Sequence, residues 1–219
     1  MDAPADRYSL LHPDVWQTVQ ERQRALLGLL AHHGWHDLRE RTLLEVGCGT
    51  GGNLLEFLRM GWRPEHLAGI ELLPERHAHA RDVLPERVAL HLGDACTVPI
   101  TEAGCDLVYQ ATVFSSLLDD AVQQQLAAAM WRWVKPGGAV LWYDFTVDNP
   151  RNRNVRGVPL QRVRALFPEG RIRAQRVTLA PPLARPACRV WPGLYPVLNA
   201  VPLLRTHVLA WIEKDARAR

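Results

Sequence analysis

The sequence of 219 residues lacks the long apolar runs and dense cysteine patterns that mark membrane-spanning and disulfide-rich proteins. No stretch reaches the ~18 consecutive apolar residues of a membrane-spanning helix. The N-terminal MDAPADRYSL has neither the basic start nor the apolar run of a secretory signal. We therefore expect a cytoplasmic protein. The cysteines stand singly and without C-x-x-C spacing, which argues against a metal site or a disulfide framework: Cys48, Cys96, Cys105 and Cys188.

Lysine is also scarce, since 24 of the 26 basic residues are arginine. Residues 1–150 carry 12 basic and 20 acidic groups, a net charge of −8, whereas residues 151–219 carry 14 and 3, a net charge of +11. A cationic C-terminal third concentrates anionic partners such as an anionic substrate, an acidic lipid surface or nucleic acid. Alternatively, the arginines line a solvated face. The hydrophobic fraction of 47% is enough to build the core of one globular domain.

The apolar pattern alternates between short runs and helical spacing, as in a parallel α/β sheet flanked by helices. There are no internal repeats and no linker long enough to separate two domains. Strands are predicted over Thr42–Val46, His66–Glu71, Val88–Leu92, Asp106–Gln110, Ala139–Tyr143, Arg171–Leu179 and Arg205–Lys214. Helices are predicted over Val15–His33, Asn53–Met60, Pro74–Leu84, Asp119–Val134 and Pro159–Phe167.

Ligands of open parallel sheets bind beyond the carboxyl ends of the strands, so the residues that follow each strand are the candidates for chemistry. The first strand runs into a glycine-rich turn and a helix, where glycines allow positive φ and the helix offers free N–H groups. This loop alone is weak evidence, because Gly47, Gly49 and Gly52 also fit the dinucleotide pattern G-x-G-x-x-G. The acidic residues after the next two strands add to the evidence for a nucleotide-binding site. Glu71 after the second strand suits ribose hydroxyls, and Asp94 after the third suits an adenine amine.

The order and spacing of these motifs resemble those of class I S-adenosylmethionine-dependent methyltransferases over about residues 40–145. The matching residues are Glu45-x-Gly47-x-Gly49-x-Gly51, Glu71, Asp94, the Asp106 strand and Lys135-Pro136-Gly137-Gly138. The resemblance implies S-adenosyl-L-methionine as cofactor. It also implies that the glycine loop passes beneath the methionine part, that Glu71 holds the ribose and that Asp94 holds the adenine amine. It further implies that Leu72 and Ala95 flank the adenine and that the backbone near Gln110 meets the methionine amino group.

The resemblance implies a Rossmann-like, mostly parallel sheet of seven strands in a single domain covering residues 1–219. Within it, residues 1–38 form an N-terminal helical cap, 40–145 the cofactor-binding core and 146–219 a substrate-side segment. An apolar insertion, 180–204, precedes the last strand and is rich in proline and aromatic residues. We expect short helices there that cover the substrate pocket; core packing or a homodimer contact are the alternatives.

Methyl transfer from a sulfonium depends mainly on positioning the acceptor and excluding water, so a dedicated base is optional. If the acceptor is a hydroxyl, a histidine, tyrosine or carboxylate near the upper edge of the sheet would help to remove its proton. The leading catalytic candidates are Tyr8, His12, Tyr143 and His207, with Tyr109, Ser115 and Asp144 also at strand ends. For His207 and Tyr143, a structural role in the core competes with the catalytic one.

The segment that follows the fifth strand is the best candidate for acceptor binding, because arginine forks bind carboxylate or phosphate. It supplies Asn149, Arg151, Asn152 and Arg156. A plain turn is the alternative. We therefore expect a small-molecule or sugar acceptor, anionic in character and methylated at oxygen. The chain shows no basic run with interleaved aromatics, which disfavours nucleic acid. A nicotinamide-dependent oxidoreductase and a catalytically inactive partner subunit remain alternative functions.

Overall fold

A seven-stranded sheet forms the centre of the molecule in the computed structural model, which describes residues 9–148 and 152–216. Each strand is apolar enough to be covered on both faces or sits at an edge. Six of the predicted strands agree with the observed ones to within one residue at each end. The strands are β1 (Leu43–Val46), β2 (Leu67–Glu71), β3 (Ala89–Leu92), β4 (Cys105–Ala111), β5 (Val134–Phe145), β6 (Arg171–Leu179) and β7 (Arg205–Glu213).

The strand order is β3-β2-β1-β4-β5-β7-β6, and β7 runs antiparallel to both of its neighbours. The other neighbouring pairs are parallel. The order reverses between β1 and β4, which is the position where open α/β sheets bind ligands. The predicted Rossmann-like, mostly parallel sheet of seven strands is confirmed.

Helices cover both faces of the sheet. They are α1 (Pro13–His32), α2 (Gly52–Met60), α3 (Pro74–Val83), α4 (Asp120–Trp133), α5 (Leu160–Leu166), α6 (Pro181–Val190) and α7 (Leu194–Asn199). Helices α1, α2 and α3 pack on one face, and α4 and α5 pack on the other. Alternation along β5 serves both cores, because Leu141 and Tyr143 face the first while Val140 and Trp142 face the second.

The fifth strand is longer than the sequence predicted. The sequence predicts a strand over Ala139–Tyr143, yet β5 begins at Val134 and ends at Phe145. The glycines pair with the residue that follows the last strand: Gly137 N–H donates to the carbonyl of Lys214 at 3.0 Å, and Lys214 N–H donates to that of Gly138 at 2.9 Å. Gly137 itself has a φ of 78°, and the register of β5 against β4 shifts at this point. Pairing with the neighbouring strands therefore continues through an irregular stretch that keeps the positive φ of Gly137.

The predicted insertion forms α6 and α7 between the carboxyl end of β6 and the start of β7. Its buried side packs on α1 and β6. Tyr195 and Thr18 share a hydrogen bond of 3.2 Å between their hydroxyls, and Arg185 lies 3.9 Å from the carboxylate of Asp14. The insertion thus joins the first half of α1 to the edge of the sheet, on the side where the strands end. Val190 and Trp191 on its outer side remain exposed.

No helix within residues 9–148 and 152–216 is long and apolar enough to cross a membrane. The four cysteines are present as free thiols. Cys48 and Cys188 are buried, as expected for small hydrophobic residues, whereas Cys96 and Cys105 are half-buried.

Asp106 links the start of β4 by hydrogen bonds to the starts of its two neighbouring strands, β1 and β5. It accepts hydrogen bonds from Thr42 N–H at 2.9 Å, the Thr42 hydroxyl at 2.7 Å and Lys135 Nζ at 2.9 Å. Burial raises the pKa of this carboxyl, but the bonds from Lys135 and Thr42 outweigh it and hold the pKa at about 2. Because the folded-state pKa lies below the unfolded one, this contribution to stability is present above about pH 4 and is lost as the pH falls through 2.

We therefore expect the stability difference between the wild type and Asp106→Asn to shrink by about 2 kcal/mol as the pH is lowered from 5 to 2. Urea unfolding followed by circular dichroism across this range measures the difference. The exposed Asp82→Asn variant is the control, and its difference from the wild type should not follow this course. A constant difference for Asp106→Asn would contradict the assigned anchoring role.

Candidate active site

The residues predicted to hold the cofactor lie at the carboxyl ends of four adjacent strands. Because β3, β2, β1 and β4 are neighbours in this order, Asp94, Glu71, the glycine loop and Gln110 follow one another along one edge of the sheet. The register aligns them: Val46 pairs with Ile70 on one side and with Gln110 on the other. This edge therefore brings the acidic side chains and the glycine loop next to one another along the strand ends.

The glycine loop needs glycine for its backbone and for its surroundings. Gly47, Gly49 and Gly51 have φ values of 65°, 56° and 86°. A Cβ on Gly47 would lie 2.6 Å from Val113 Cγ2, whereas a Cβ on Gly49 would meet no atom within 4 Å. The loop therefore packs closely against Val113 at Gly47, whereas the space next to Gly49 is open, as a ligand that crosses the backbone requires.

Glu71 fixes this loop from the neighbouring strand. Its Oε2 accepts a hydrogen bond from Gly49 N–H at 2.8 Å, and its Oε1 accepts one from Leu73 N–H at 2.9 Å. A carboxylate has about four acceptor positions, so each oxygen retains capacity for a hydroxyl of a ligand. Glu71 is thus oriented by the backbone before any ligand arrives.

The predicted adenine side is more open. Asp94 is exposed and accepts a hydrogen bond from Cys96 N–H at 2.8 Å, which orients its carboxylate. Leu72 has 62% of its surface exposed despite its apolar side chain. Ala95 packs partly against the core on the α4 side of the sheet. An exposed leucine beside an oriented carboxylate suits a flat aromatic ring.

Glu45, at the base of the glycine loop, is fully buried. Its Oε1 accepts a hydrogen bond of 2.6 Å from Asn53 Nδ2 at the start of α2, while its Oε2 has no hydrogen-bond partner among the described residues. Burial raises the pKa of this carboxyl to about 8. A buried oxygen without a hydrogen-bond partner lowers the stability of the fold. This indicates that Glu45 Oε2 either carries a proton or accepts a hydrogen bond from a ligand.

Gln110 and Asp144 shape the segment that follows β4. Gln110 Oε1 accepts from Val113 N–H at 3.1 Å, and the carboxylate of Asp144 accepts from Ser115 N–H at 3.1 Å and Phe145 N–H at 2.9 Å. Burial raises the pKa of Asp144 to about 6, although these bonds act in the opposite direction. Both side chains are fully buried, and their hydrogen bonds hold the backbone of the segment that follows β4.

One strand further along the edge lies a second polar cluster around Tyr143. The Tyr143 hydroxyl is 2.9 Å from Thr178 Oγ1 at the end of β6, and Thr178 N–H donates to Glu21 Oε2 of α1 at 3.1 Å. The His207 ring stacks on Tyr143 with 5.0 Å between centroids. Burial and the charge of Arg22 lower the pKa of His207 to about 4, so this imidazole is neutral at physiological pH.

Two strained threonines flank Tyr143. Thr112 and Thr178 have φ values of 57° and 65°, which β-branched residues rarely adopt. Thr112 N–H donates to the carbonyl of Tyr143 at 2.8 Å, and Thr178 is hydrogen-bonded to its hydroxyl. Backbone strain of this kind concentrates at functional sites. The strain therefore marks the surroundings of Tyr143 as a candidate site.

Arg22 of α1 connects the two clusters and was not identified from the sequence. Its Nη2 donates to Asn53 Oδ1 at 2.9 Å and lies 3.6 Å from Glu56, and its guanidinium lies 5.2 Å from the centre of the Tyr143 ring. A signal was present, because Arg22 falls on the apolar stripe of α1 at i, i+4 and i+7 with Leu26 and Leu29. A charged residue in such a stripe indicates a buried polar contact.

The remaining candidates are distributed differently. Tyr8, Asn149 and Arg151 lie outside the described residues. His12 directly precedes α1. Asn152 accepts a hydrogen bond from Asn154 N–H at 3.1 Å within a turn, and Arg156 forms an ion pair with Asp120 of α4. Asn152 and Arg156 thus have structural partners, and their contact with an acceptor stays a prediction.

A family profile described as a methyltransferase domain matches residues 43–138 of the chain. The chain is 39% identical over 85 residues to a malonyl-(acyl-carrier protein) O-methyltransferase of Bacteroides fragilis, which is 38% of this chain and 17% of that protein. It is 30% identical over 152 residues to a trans-aconitate 2-methyltransferase of Afipia carboxidovorans, which is 69% of this chain and 54% of that protein. The chain spans about half or less of these curated relatives.

Solved structures share the fold at low sequence identity. An S-adenosylmethionine-dependent methyltransferase from Mesorhizobium loti matches with a TM-score of 0.62 and 13% identity, over 88% of this chain and 96% of that one. Another from Archaeoglobus fulgidus matches with a TM-score of 0.61 and 12% identity, over 89% and 96%. These similarities support the fold alone.

Proposed function

The chain belongs to the class I S-adenosylmethionine-dependent methyltransferases, and we propose that it transfers the methyl group of S-adenosyl-L-methionine to a small acceptor. This proposal rests on two neighbouring clusters of polar side chains at the strand ends, both already oriented by hydrogen bonds within the protein. Glu71, oriented by two backbone bonds, stands beside the open glycine loop, and the strained, buried cluster around Tyr143 follows two strands away, beyond β4. The first suits a nucleoside and the second an acceptor.

In this proposal the cofactor is held by the residues along the first four strand ends. Glu71 accepts from the ribose hydroxyls, Asp94 accepts from the adenine amine, and Leu72 and Ala95 flank the ring. The open backbone above Gly49 admits the methionine part, which agrees with the absence of any atom near a Cβ there. The full set is Glu45, Gly47, Gly49, Gly51, Glu71, Leu72, Asp94, Ala95 and Gln110.

We further propose that the acceptor is a small carboxylic acid methylated at oxygen. The two curated relatives reported above are named for acceptors that carry carboxylates. In this chain the guanidinium of Arg22 lies 5.2 Å from the centre of the Tyr143 ring and supplies a positive charge for an anionic acceptor, beside the carboxylates of Glu56 and Glu21. A sugar hydroxyl is the second acceptor class. The exposed segment near Asn152 and Arg156 is a further contact for such acceptors.

Bound cofactor supplies an activated methyl group, and the work of the chain is to position the acceptor and exclude water. A carboxylate is deprotonated at neutral pH and needs no base. For a hydroxyl acceptor, the neutral imidazole of His207 beside Tyr143 can accept a hydrogen bond from the hydroxyl at a ring nitrogen, but its pKa of about 4 makes it a weak base. We propose that α1 of the predicted N-terminal cap and the insertion 180–204 enclose this cluster, since α1 contacts Thr178 through Glu21 and Tyr195 of the insertion through Thr18.

The test is transfer of label from methyl-labelled S-adenosylmethionine to fractions of small carboxylic acids, sugars, lipids and RNA. Label on a carboxylate is a methyl ester, which mild alkali releases as methanol, whereas label on a sugar hydroxyl is an ether that resists alkali. We expect alkali-labile label in the acid fraction. Alkali-stable label in the sugar fraction would replace the carboxylate proposal, and binding of S-adenosylhomocysteine without transfer to any fraction would contradict the enzymatic one.

A further inference from the structure

A line of polar side chains, half-buried at Arg22 and Asn53 and fully buried at Glu45, runs from α1 to the base of the glycine loop. Arg22 Nη2 donates to Asn53 Oδ1 at 2.9 Å, and Asn53 Nδ2 donates to Glu45 Oε1 at 2.6 Å. Asn53 therefore uses both ends of its amide, which fixes its orientation and joins the guanidinium to the carboxyl. Glu45 Oε2 is left buried without a hydrogen-bond partner among the described residues.

The charges that face Glu45 come from three elements. Helix α2 contributes Glu56 and β2 contributes Glu71, and both carboxylates disfavour a further negative charge at Glu45. Helix α1 contributes Arg22, which favours that charge but also lies 3.6 Å from Glu56. Burial is the largest effect, and together with the two acids it outweighs Arg22 and the Asn53 bond, so the pKa of Glu45 rises to about 8.

Two further titratable groups near Glu45 carry no charge at neutral pH. Burial raises the pKa of the Cys48 thiol in the glycine loop to about 12. Burial also raises the pKa of the Tyr109 hydroxyl on β4 above its usual range. Arg22 is therefore the one cation among the described groups that act on Glu45, and a ligand cation at the loop would be the second.

We propose that Glu45 releases a proton to solvent when a ligand with a positively charged group binds at the glycine loop, and that Arg22, acting through Asn53, sets the pH at which this release occurs. The O–H bond of the Glu45 carboxyl breaks, the proton passes to buffer, and the carboxylate left behind is balanced by the ligand cation. The inference rests on the proposed function, because S-adenosylmethionine and S-adenosylhomocysteine both carry an amino group that is cationic at neutral pH. Arg22 is here a positioning residue.

Isothermal titration with S-adenosylhomocysteine at pH 7 measures this proton directly. The observed enthalpy depends on the ionisation enthalpy of the buffer in proportion to the protons released, so phosphate and Tris buffers suffice. We expect the wild type to release close to one proton per ligand. The dissociation constant should fall by roughly five- to tenfold between pH 6 and pH 7, as linkage requires below the pKa of the releasing group.

Three variants isolate the groups. Glu45→Gln keeps the bond to Asn53 but has no proton to release, so its enthalpy should be the same in both buffers and its affinity should change less than twofold over this pH range. Arg22→Gln should retain proton release but shift the pH dependence of affinity to higher pH. Arg22→Lys keeps the positive charge and should therefore reverse part of that shift. The exposed Glu86→Gln variant is the matched control and should release the proton as the wild type does.

The outcomes separate the two proposals. If S-adenosylhomocysteine does not bind the wild type at any pH, the proposed function fails. If it binds with the same enthalpy in both buffers, the function stands and the proton inference is overturned. Proton release that persists in Glu45→Gln would assign the proton to another group and would also overturn it. A pH dependence unchanged in Arg22→Gln would remove Arg22 from the inference.

Discussion

The variant Glu71→Ala is expected to bind S-adenosylhomocysteine about 30- to 150-fold more weakly than the wild type, a loss of roughly 2–3 kcal/mol. Two effects combine in this loss. In the proposed complex the ribose hydroxyls lose a charged acceptor, and Gly49 N–H and Leu73 N–H lose the carboxylate to which they donate. Isothermal titration measures the affinity, and a thermal melt confirms that the variant is folded.

Two companion variants distinguish charge from shape at this edge. Glu71→Gln keeps one acceptor oxygen and should lose less affinity than Glu71→Ala. Asp94→Asn should lose only about 1 kcal/mol, because its amide oxygen still accepts and the site is exposed. A greater loss for Asp94→Asn than for Glu71→Ala would mean that the ribose and adenine roles are reversed. Unchanged affinity in folded Glu71→Ala would contradict the ribose assignment.

The cofactor edge could be predicted because its signals are local in the sequence. A strand that ends in glycines, followed by acids after the next two strands, specifies a βα unit and the residues at its mouth without knowledge of distant contacts. The observed sheet order aligns Glu71, Asp94 and Gln110 as this reasoning requires. Their contact with a cofactor stays a prediction that the variants above address.

The acceptor side could not be predicted in the same way, because its geometry depends on tertiary contacts. Thr178 adopts positive φ only where β6 meets Glu21 of α1, 157 residues away in the chain. Arg156 is predicted to bind an acceptor because it lies in a polar loop; the fold pairs it with Asp120, and its contact with an acceptor stays a prediction. Residue type alone does not distinguish an arginine that binds a ligand from one that holds a loop.

Substitution of Gly49 separates cofactor binding from stability at the centre of the loop. A Cβ at Gly49 meets no protein atom within 4 Å, so the variant Gly49→Ala pays only the cost of positive φ, about 1 kcal/mol. The added methyl group nevertheless projects into the space above the loop, where the methionine part of the cofactor is proposed to lie. We expect Gly49→Ala to melt close to the wild type and to bind S-adenosylhomocysteine more than tenfold more weakly.

Two further alanine substitutions provide the comparison. Gly47→Ala has the same backbone cost, but its Cβ would lie 2.6 Å from Val113 Cγ2, so it should lose clearly more stability than Gly49→Ala. Gly28→Ala lies in α1 with open space around its Cβ and should gain stability without any change in affinity. Melting temperatures compare the stability of the three variants, and titrations compare their affinity for S-adenosylhomocysteine. Full affinity in folded Gly49→Ala would show that the cofactor does not cross the backbone at this point.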